Sequence, residues 1–137
     1  MRWSECTKNN LVERRTKDKE LAKSLFKIAI DRFDFFSTKE VSIFVLEGMY
    51  ESIIELCHAF LALEGLKTLS HECAIEFLRG RNLNDYEVEF LHILRKKRHG
   101  IKYYGRTLSE EVIKKNVEKG KTAFLRLKSI LKDELTK

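Results

Sequence analysis

The chain has 137 residues, of which 43% are hydrophobic and 35% charged, and its formal net charge at pH 7 is +6. This is the length of one domain with one modest core, and the balance of apolar and charged residues excludes a disordered chain. No apolar run reaches the roughly 20 residues that a membrane-spanning helix needs, and the first ten residues lack the apolar stretch of a secretion signal. We therefore expect a single domain over residues 1–137, located in the cytoplasm and without a membrane partner.

The three cysteines are Cys6, Cys57 and Cys73. Their odd number and wide spacing argue against a disulfide framework and are typical of a protein from a reducing compartment. We expect all three to be small buried hydrophobic residues.

Proline is absent, so the strongest helix breaker is missing and the periodic apolar segments predict helices. The first predicted helix covers roughly residues 10–36. Ser37 to Glu40 reads as a capping box that opens the second helix, roughly 38–64. This second helix is apolar on more than one face, so it should be the central one, with Phe60 and Leu61 buried.

Three more helices are predicted in the second half of the chain. A short one, roughly 70–79, is opened by Ser70, and the next, roughly 85–98, ends before a break at Gly100. Thr107 to Glu110 reads as another capping box that opens the last helix, roughly 108–134. The prediction is an all-α bundle of five helices.

The densest polar cluster lies at the predicted break between the last two helices. Its members are Arg95, Lys96, Lys97, Arg98, His99, Lys102 and Arg106, with Tyr103 and Tyr104 between them. Cations bind phosphates, and tyrosine can stack on a base or donate its hydroxyl. Cations near a helix C-terminus also complement the helix dipole, so the residues alone leave a binding site and a capping role equally open.

Motifs of metal and nucleotide chemistry are absent. The sequence has no HExxH, CxxC, P-loop or nucleophile-elbow motif. The four histidines, His58, His71, His92 and His99, are not spaced for a shared metal on one helix face. His71 and Glu72 read as surface residues near the start of the short helix. We therefore expect neither a metal ion nor an organic cofactor.

The order of these features resembles the HEPN superfamily, in its small archaeal and bacterial branch. The features, in chain order, are the long helix with residues 51–65, the segment Lys67-Thr-Leu-Ser-His-Glu72, the basic segment 94–105 and a final helix. The resemblance covers about residues 20–132. The resemblance implies an up-and-down bundle of four or five helices that commonly dimerises. Members include metal-independent ribonucleases, toxins, and partners of small nucleotidyltransferases.

The signature of this family is an arginine, a polar residue and then a histidine after four to six intervening residues. Arg98 and His99 match the first two positions, and Tyr103 or Tyr104 stands where the histidine is expected. Because tyrosine has a pKa of about 10, it is a poor base at neutral pH. The resemblance thus implies binding of phosphate or nucleotide more than it implies the usual catalysis.

Three functions follow as hypotheses. The first is a module, in a toxin–antitoxin or stress and defence system, that binds RNA, a nucleotide or a nucleotidyltransferase partner through Arg95, Arg98, Lys102, Tyr103 and Tyr104. The second is a metal-independent endoribonuclease in which Arg98 stabilises the scissile phosphate and His99, or a residue of a dimer mate, moves the proton. The third is a structural bundle without a ligand. We further expect a homodimer, with one tyrosine packed inward and the other, Tyr104, facing the groove of Arg98.

Overall fold

The computed structural model describes all 137 residues, and 72% of them are helical. The elements in chain order are α1 (Trp3–Lys8), β1 (Val12–Arg14), α2 (Lys19–Ser37), α3 (Ile43–Leu63), β2 (Leu66–Thr68), α4 (His71–Glu76), α5 (Asp85–Tyr104) and α6 (Glu110–Leu135). The predicted helical class is confirmed, with two short strands added. None of the helices combines the length and the apolar composition that crossing a membrane requires.

Helix α3 forms the centre of the core, as its apolar pattern predicted. Helices α2, α4, α5 and α6 all pack against it. Phe60 is 4% exposed and Leu61 is fully buried, which confirms their predicted burial. Gly48 allows the ring of Phe36 on α2 to lie directly against the α3 backbone. The central helix therefore holds the positions of the helices that carry the site.

The predicted starts of the first two long helices were wrong. Helix α2 begins only at Lys19, where the Asp18 carboxylate accepts a hydrogen bond from the Leu21 amide. Ser37 does not cap α3, because α2 continues to this residue; Ser42 caps α3 instead and accepts from the Val45 amide. Short polar residues occur at several neighbouring positions, so the sequence pattern alone does not select the one that caps.

The predicted break at Gly100 was also wrong. Helix α5 continues through Gly100 to Tyr104, and it ends at Gly105, which has a left-handed φ of 61°. An interior glycine costs a helix only about 1 kcal/mol relative to alanine, which packing outweighs here. In the next helix, α6, the cap is Ser109 and not Thr107. Apart from Arg106, which follows Gly105, the cationic residues of this region therefore lie on a continuous helix and not in a turn.

The N-terminal segment is bonded to β2 and to α4. Strands β1 and β2 pair antiparallel, with Val12 opposite Thr68. Cys6 and Cys73 form a disulfide, so the expectation of three free cysteines was wrong for these two, whose partners lie 67 positions apart. Cys57 is free and buried, as expected, and burial raises the pKa of its thiol to about 12. The start of α4 is thus held by contacts from a distant part of the chain.

Candidate functional site

A polar groove lies between the C-terminal half of α5 and the start of α4, with α3 beneath. It has a volume of about 450 Å³ and is called here the cationic groove. Its lining residues are Tyr50, Leu69, Ser70, His71, Glu72, Arg95, Arg98, His99, Lys102 and Tyr103. The groove brings together four of the five residues predicted to bind RNA or a nucleotide, and Tyr104 is the exception.

Helix α5 presents Arg95, Arg98 and Lys102 to this groove. Their spacing of three and four residues places them on one helix face. Arg95 and Arg98 are partly buried and Lys102 is exposed. Three cations therefore line one wall, within the reach of a single anionic ligand.

The two tyrosines differ from their predicted arrangement. Neither packs inward, because Tyr103 is 58% and Tyr104 65% exposed. Tyr103 lines the groove and Tyr104 does not. The ring of the exposed His99 lies 4.7 Å from that of Tyr103 and 5.5 Å from that of Tyr104, measured between centroids. These three rings form an aromatic rim at the end of α5.

Arg98 is engaged by a carboxylate of the central helix. Its Nη2 lies 2.8 Å from Oε1 of Glu51, and the Arg98 side chain is 18% exposed. This Glu51 oxygen is buried and receives no hydrogen bond of acceptable geometry, so the contact is an ion pair without a directed N–H donor. The Arg98 guanidinium also lies 5.9 Å from the ring centroid of Tyr50. Arg98 consequently retains donors that another anion could use.

Arg95 is positioned by a buried chain of polar groups. The Glu76 carboxylate, 3% exposed, lies 2.6 Å from Nε2 of His92 and accepts two hydrogen bonds from Arg79. Nδ1 of His92 in turn accepts from Nε of Arg95 at 3.2 Å. Burial raises the pKa of Glu76, but the hydrogen bonds from Arg79 and His92 outweigh it and hold this pKa below its ordinary value. The network fixes the Nε side of Arg95 and leaves its outer nitrogens towards Glu72 and the groove.

His71 enters the groove from the opposite wall. Its Nδ1 lies 2.9 Å from the hydroxyl of the buried Tyr50. Burial lowers the pKa of His71, and Arg98 and Lys102 lower it further against the opposing effect of Glu51. Burial also raises the pKa of Tyr50. A neutral imidazole and a protonated phenol therefore face the cationic wall at pH 7.

His71 was not predicted as a site residue. It was predicted to lie at the surface near the start of the short helix, and a separation of 27 positions from Arg98 gives no helical spacing that would bring the two together. The only hint in the sequence was that the segment Lys67 to Glu72 precedes the basic segment. This order does not show that His71 lies close to Arg98. Lys96, Lys97 and Arg106, which belonged to the predicted cluster, do not line the groove. No group of three or more potential ligand side chains is close enough to hold a metal ion.

Comparison with known proteins returned no match to this chain among family models, curated proteins or solved structures. The geometry of the groove is therefore the basis for inferring the function of the protein.

Proposed function

We propose that the protein binds the phosphate groups of RNA or of a nucleotide in the cationic groove. The observation that carries this proposal is the convergence of Arg95, Arg98 and Lys102 in one groove. Lys102 forms no ion pair with a carboxylate of the chain, and each arginine has only one acidic neighbour there. A guanidinium fork and an ammonium group together suit the several oxygens of a phosphate.

The aromatic rim favours a nucleotide over inorganic phosphate. Tyr103 lines the groove next to Lys102, whose Nζ lies 5.5 Å from the ring centroid. Exposed aromatic faces beside cations allow a base to stack while its phosphate is held. The net charge of +6 adds long-range attraction for polyanions. The resemblance to the HEPN superfamily, with Arg98 at the signature arginine, supports the same class of ligand.

The experiment is titration of a fluorescent RNA oligonucleotide with the protein at several salt concentrations. Binding should weaken as the salt concentration increases. Lys102→Ala should reduce the affinity, and it should make the slope of log K against log salt concentration shallower by about the value of one phosphate contact. Lys128→Ala, which changes a lysine of α6 outside the groove, is the matched control. If Lys102→Ala and the control bind RNA equally well, the groove is not the binding site.

A second function, metal-independent cleavage of RNA, is favoured by His71. In the His71 tautomer whose Nδ1–H donates to the Tyr50 hydroxyl oxygen, Nε2 is free to accept a proton from a ribose 2′-OH. The 2′ oxygen would then attack the neighbouring phosphorus, which Arg98 stabilises, and the 5′ oxygen would leave with a proton. His99, at the rim of the groove, supplies that proton; the hypothesis drawn from the sequence gave the proton transfer to His99 or to a residue of a dimer mate.

Cleavage is tested by incubating labelled RNA with the protein in the presence of a chelator. The expected products carry a 2′,3′-cyclic phosphate and a 5′-hydroxyl, and His71→Ala should abolish them while RNA binding persists. Intact RNA after prolonged incubation with the wild-type protein would leave binding as the function.

The proposal includes a homodimer, and it is supported by exposed apolar residues at the end of α2, in the α2–α3 connection and at the start of α3. Phe35 is 56%, Val41 41% and Phe44 71% exposed, and exposed apolar groups of this size favour association. Light scattering should give twice the mass of 16.2 kDa, and Phe44→Asp should return it to the monomer value. A monomer at tens of micromolar wild-type protein would contradict this part. A nucleotidyltransferase partner stays a prediction of the resemblance.

A further inference from the structure

A second groove adjoins the cationic groove, and the two share Leu69 and His71. This side groove has a volume of about 710 Å³ and lies between α2, α3 and the N-terminal segment before α2. We infer that the side groove holds an unpaired nucleobase of an RNA whose phosphates occupy the cationic groove. The substrate class is then single-stranded RNA, an inference that rests on the proposed function and narrows it.

The junction of the two grooves has the form that a nucleotide needs. Leu69, at the boundary, is 91% exposed, so its apolar side chain projects into solvent where the two grooves meet. His71 reaches both grooves. A phosphate near Arg98 would place its ribose at this junction and direct the attached base over Leu69 into the side groove. Both halves of a nucleotide thus meet surfaces of matching polarity.

The side groove offers the flat and apolar contacts that a base prefers. Leu21 and Leu25 of α2 face Ala62 of α3 across it. His58, half-buried, lies on the same side as His71, with 6.5 Å between their ring centroids. Burial lowers the pKa of His58, and the nearby His71 lowers it further, so the ring is neutral at pH 7. A neutral imidazole stacks on a base without the cost of desolvating a charge.

The cations of the side groove favour a longer strand over a mononucleotide. Exposed Lys67, which has no carboxylate partner, lines this groove together with Asp18 and with Arg15, which pairs with Glu13. A base in the side groove would therefore lie near Lys67 as well as near the cations of the cationic groove. A strand carries a phosphate on both sides of each base, so one strand can use both groups of cations. A base inside a duplex is stacked and paired, so it cannot enter the side groove without being extruded.

The test compares three fluorescent probes by anisotropy at one salt concentration: a short oligouridylate, an abasic ribose-phosphate oligonucleotide of equal length, and a duplex RNA. The wild-type protein should bind the oligouridylate about fivefold or more tighter than the abasic strand, as expected for one stacked base. His58→Ala should remove most of this difference and leave affinity for the abasic strand unchanged. Lys67→Ala should weaken both single strands, and Lys132→Ala, on α6 and outside both grooves, is the control.

The outcomes separate this inference from the proposed function. Equal affinity for the oligouridylate and the abasic strand, with both weakened by Lys102→Ala, would overturn the inference and leave phosphate binding in place. Duplex RNA that binds as tightly as the oligouridylate would overturn it as well. If the wild-type protein binds none of the three probes, the proposed function itself is wrong. If His58→Ala does not fold, as judged by loss of its helical circular dichroism signal, His58→Gln takes its place because it nearly keeps the side-chain volume.

Discussion

Glu51 should act as an internal competitor for the ligand of Arg98. Its carboxylate lies 2.8 Å from the guanidinium, on the central helix below the groove. A phosphate that binds Arg98 meets this negative charge on the other side of the same guanidinium. Glu51→Gln keeps the shape of the side chain and removes the charge, so it should strengthen RNA binding. The ligand-free structural bundle predicts no such gain.

The size of the effect follows from Coulomb's law. A phosphate charge beyond the guanidinium would lie about 6 Å from the Glu51 carboxylate, and at an effective dielectric constant of about 40–80 the repulsion is about 0.7–1.4 kcal/mol. Its removal corresponds to a roughly three- to tenfold lower Kd for RNA at low salt. Added salt should reduce this gain, because the screening length falls to about 8 Å at physiological ionic strength.

Glu55→Gln is the matched control, since Glu55 lies one turn further along α3 and pairs with Arg32, outside the groove, at 3.3 Å. Anisotropy titrations of the wild type and both variants, with a urea unfolding curve for each, separate binding from stability. Glu51→Gln should tighten binding and Glu55→Gln should change it by less than about twofold. If Glu51→Gln lowers stability and leaves the Kd for RNA unchanged, Arg98 is a structural partner of α3 and the site assignment is wrong.

Three further predictions concern the fold. Gly48→Ala should lower the free energy of unfolding by about 1–3 kcal/mol in urea, because a Cβ would overlap the Phe36 ring; an unchanged midpoint would contradict this packing. Replacing Cys6 and Cys73 together by alanine should lower the free energy of unfolding by about 4 kcal/mol in the same assay, which is the chain-entropy value for partners 67 positions apart. If dithiothreitol leaves the stability of the wild type unchanged, the disulfide does not form. Because the pKa of His58 is lowered in the folded state, the unfolded chain takes up this proton first, and stability should fall as pH decreases below about 6.5. His58→Gln should flatten that decrease below about pH 6.5, and an identical slope would contradict the buried neutral ring.

The sequence was sufficient for the helical class and the central helix because both depend on local periodicity. The apolar residues of α3 repeat on several faces, and only a helix surrounded by others can bury them all. Helix ends were predicted less well, since they depend on which of several short polar side chains accepts a hydrogen bond from a backbone amide of the first turn. Ser42 and Ser109 cap their helices, whereas Ser37 and Thr107 were predicted to do so.

Gly100 shows why the cationic wall was only partly predicted. Spacing along α5 placed Arg95 and Arg98 on one face, but the expected break after His99 separated Lys102 from them. A continuous helix brings Lys102 one turn beyond Arg98, on the same face. The glycine penalty of about 1 kcal/mol is small compared with the packing of α5 on α3 and α4, and packing cannot be read from one segment.

The histidine of the site depends on contacts that local sequence patterns do not encode. His71 begins a helix of only six residues, which is too short to be stable alone. The β1–β2 pairing precedes it, and the Cys6–Cys73 disulfide follows it by two residues. The partners of both interactions lie more than 50 positions earlier in the chain, in a segment that was predicted as helix or left without a role. His71 reaches the cationic groove because α4 packs against α3 and α5, and the N-terminal segment is joined to this region by the disulfide and by the pairing of β1 with β2.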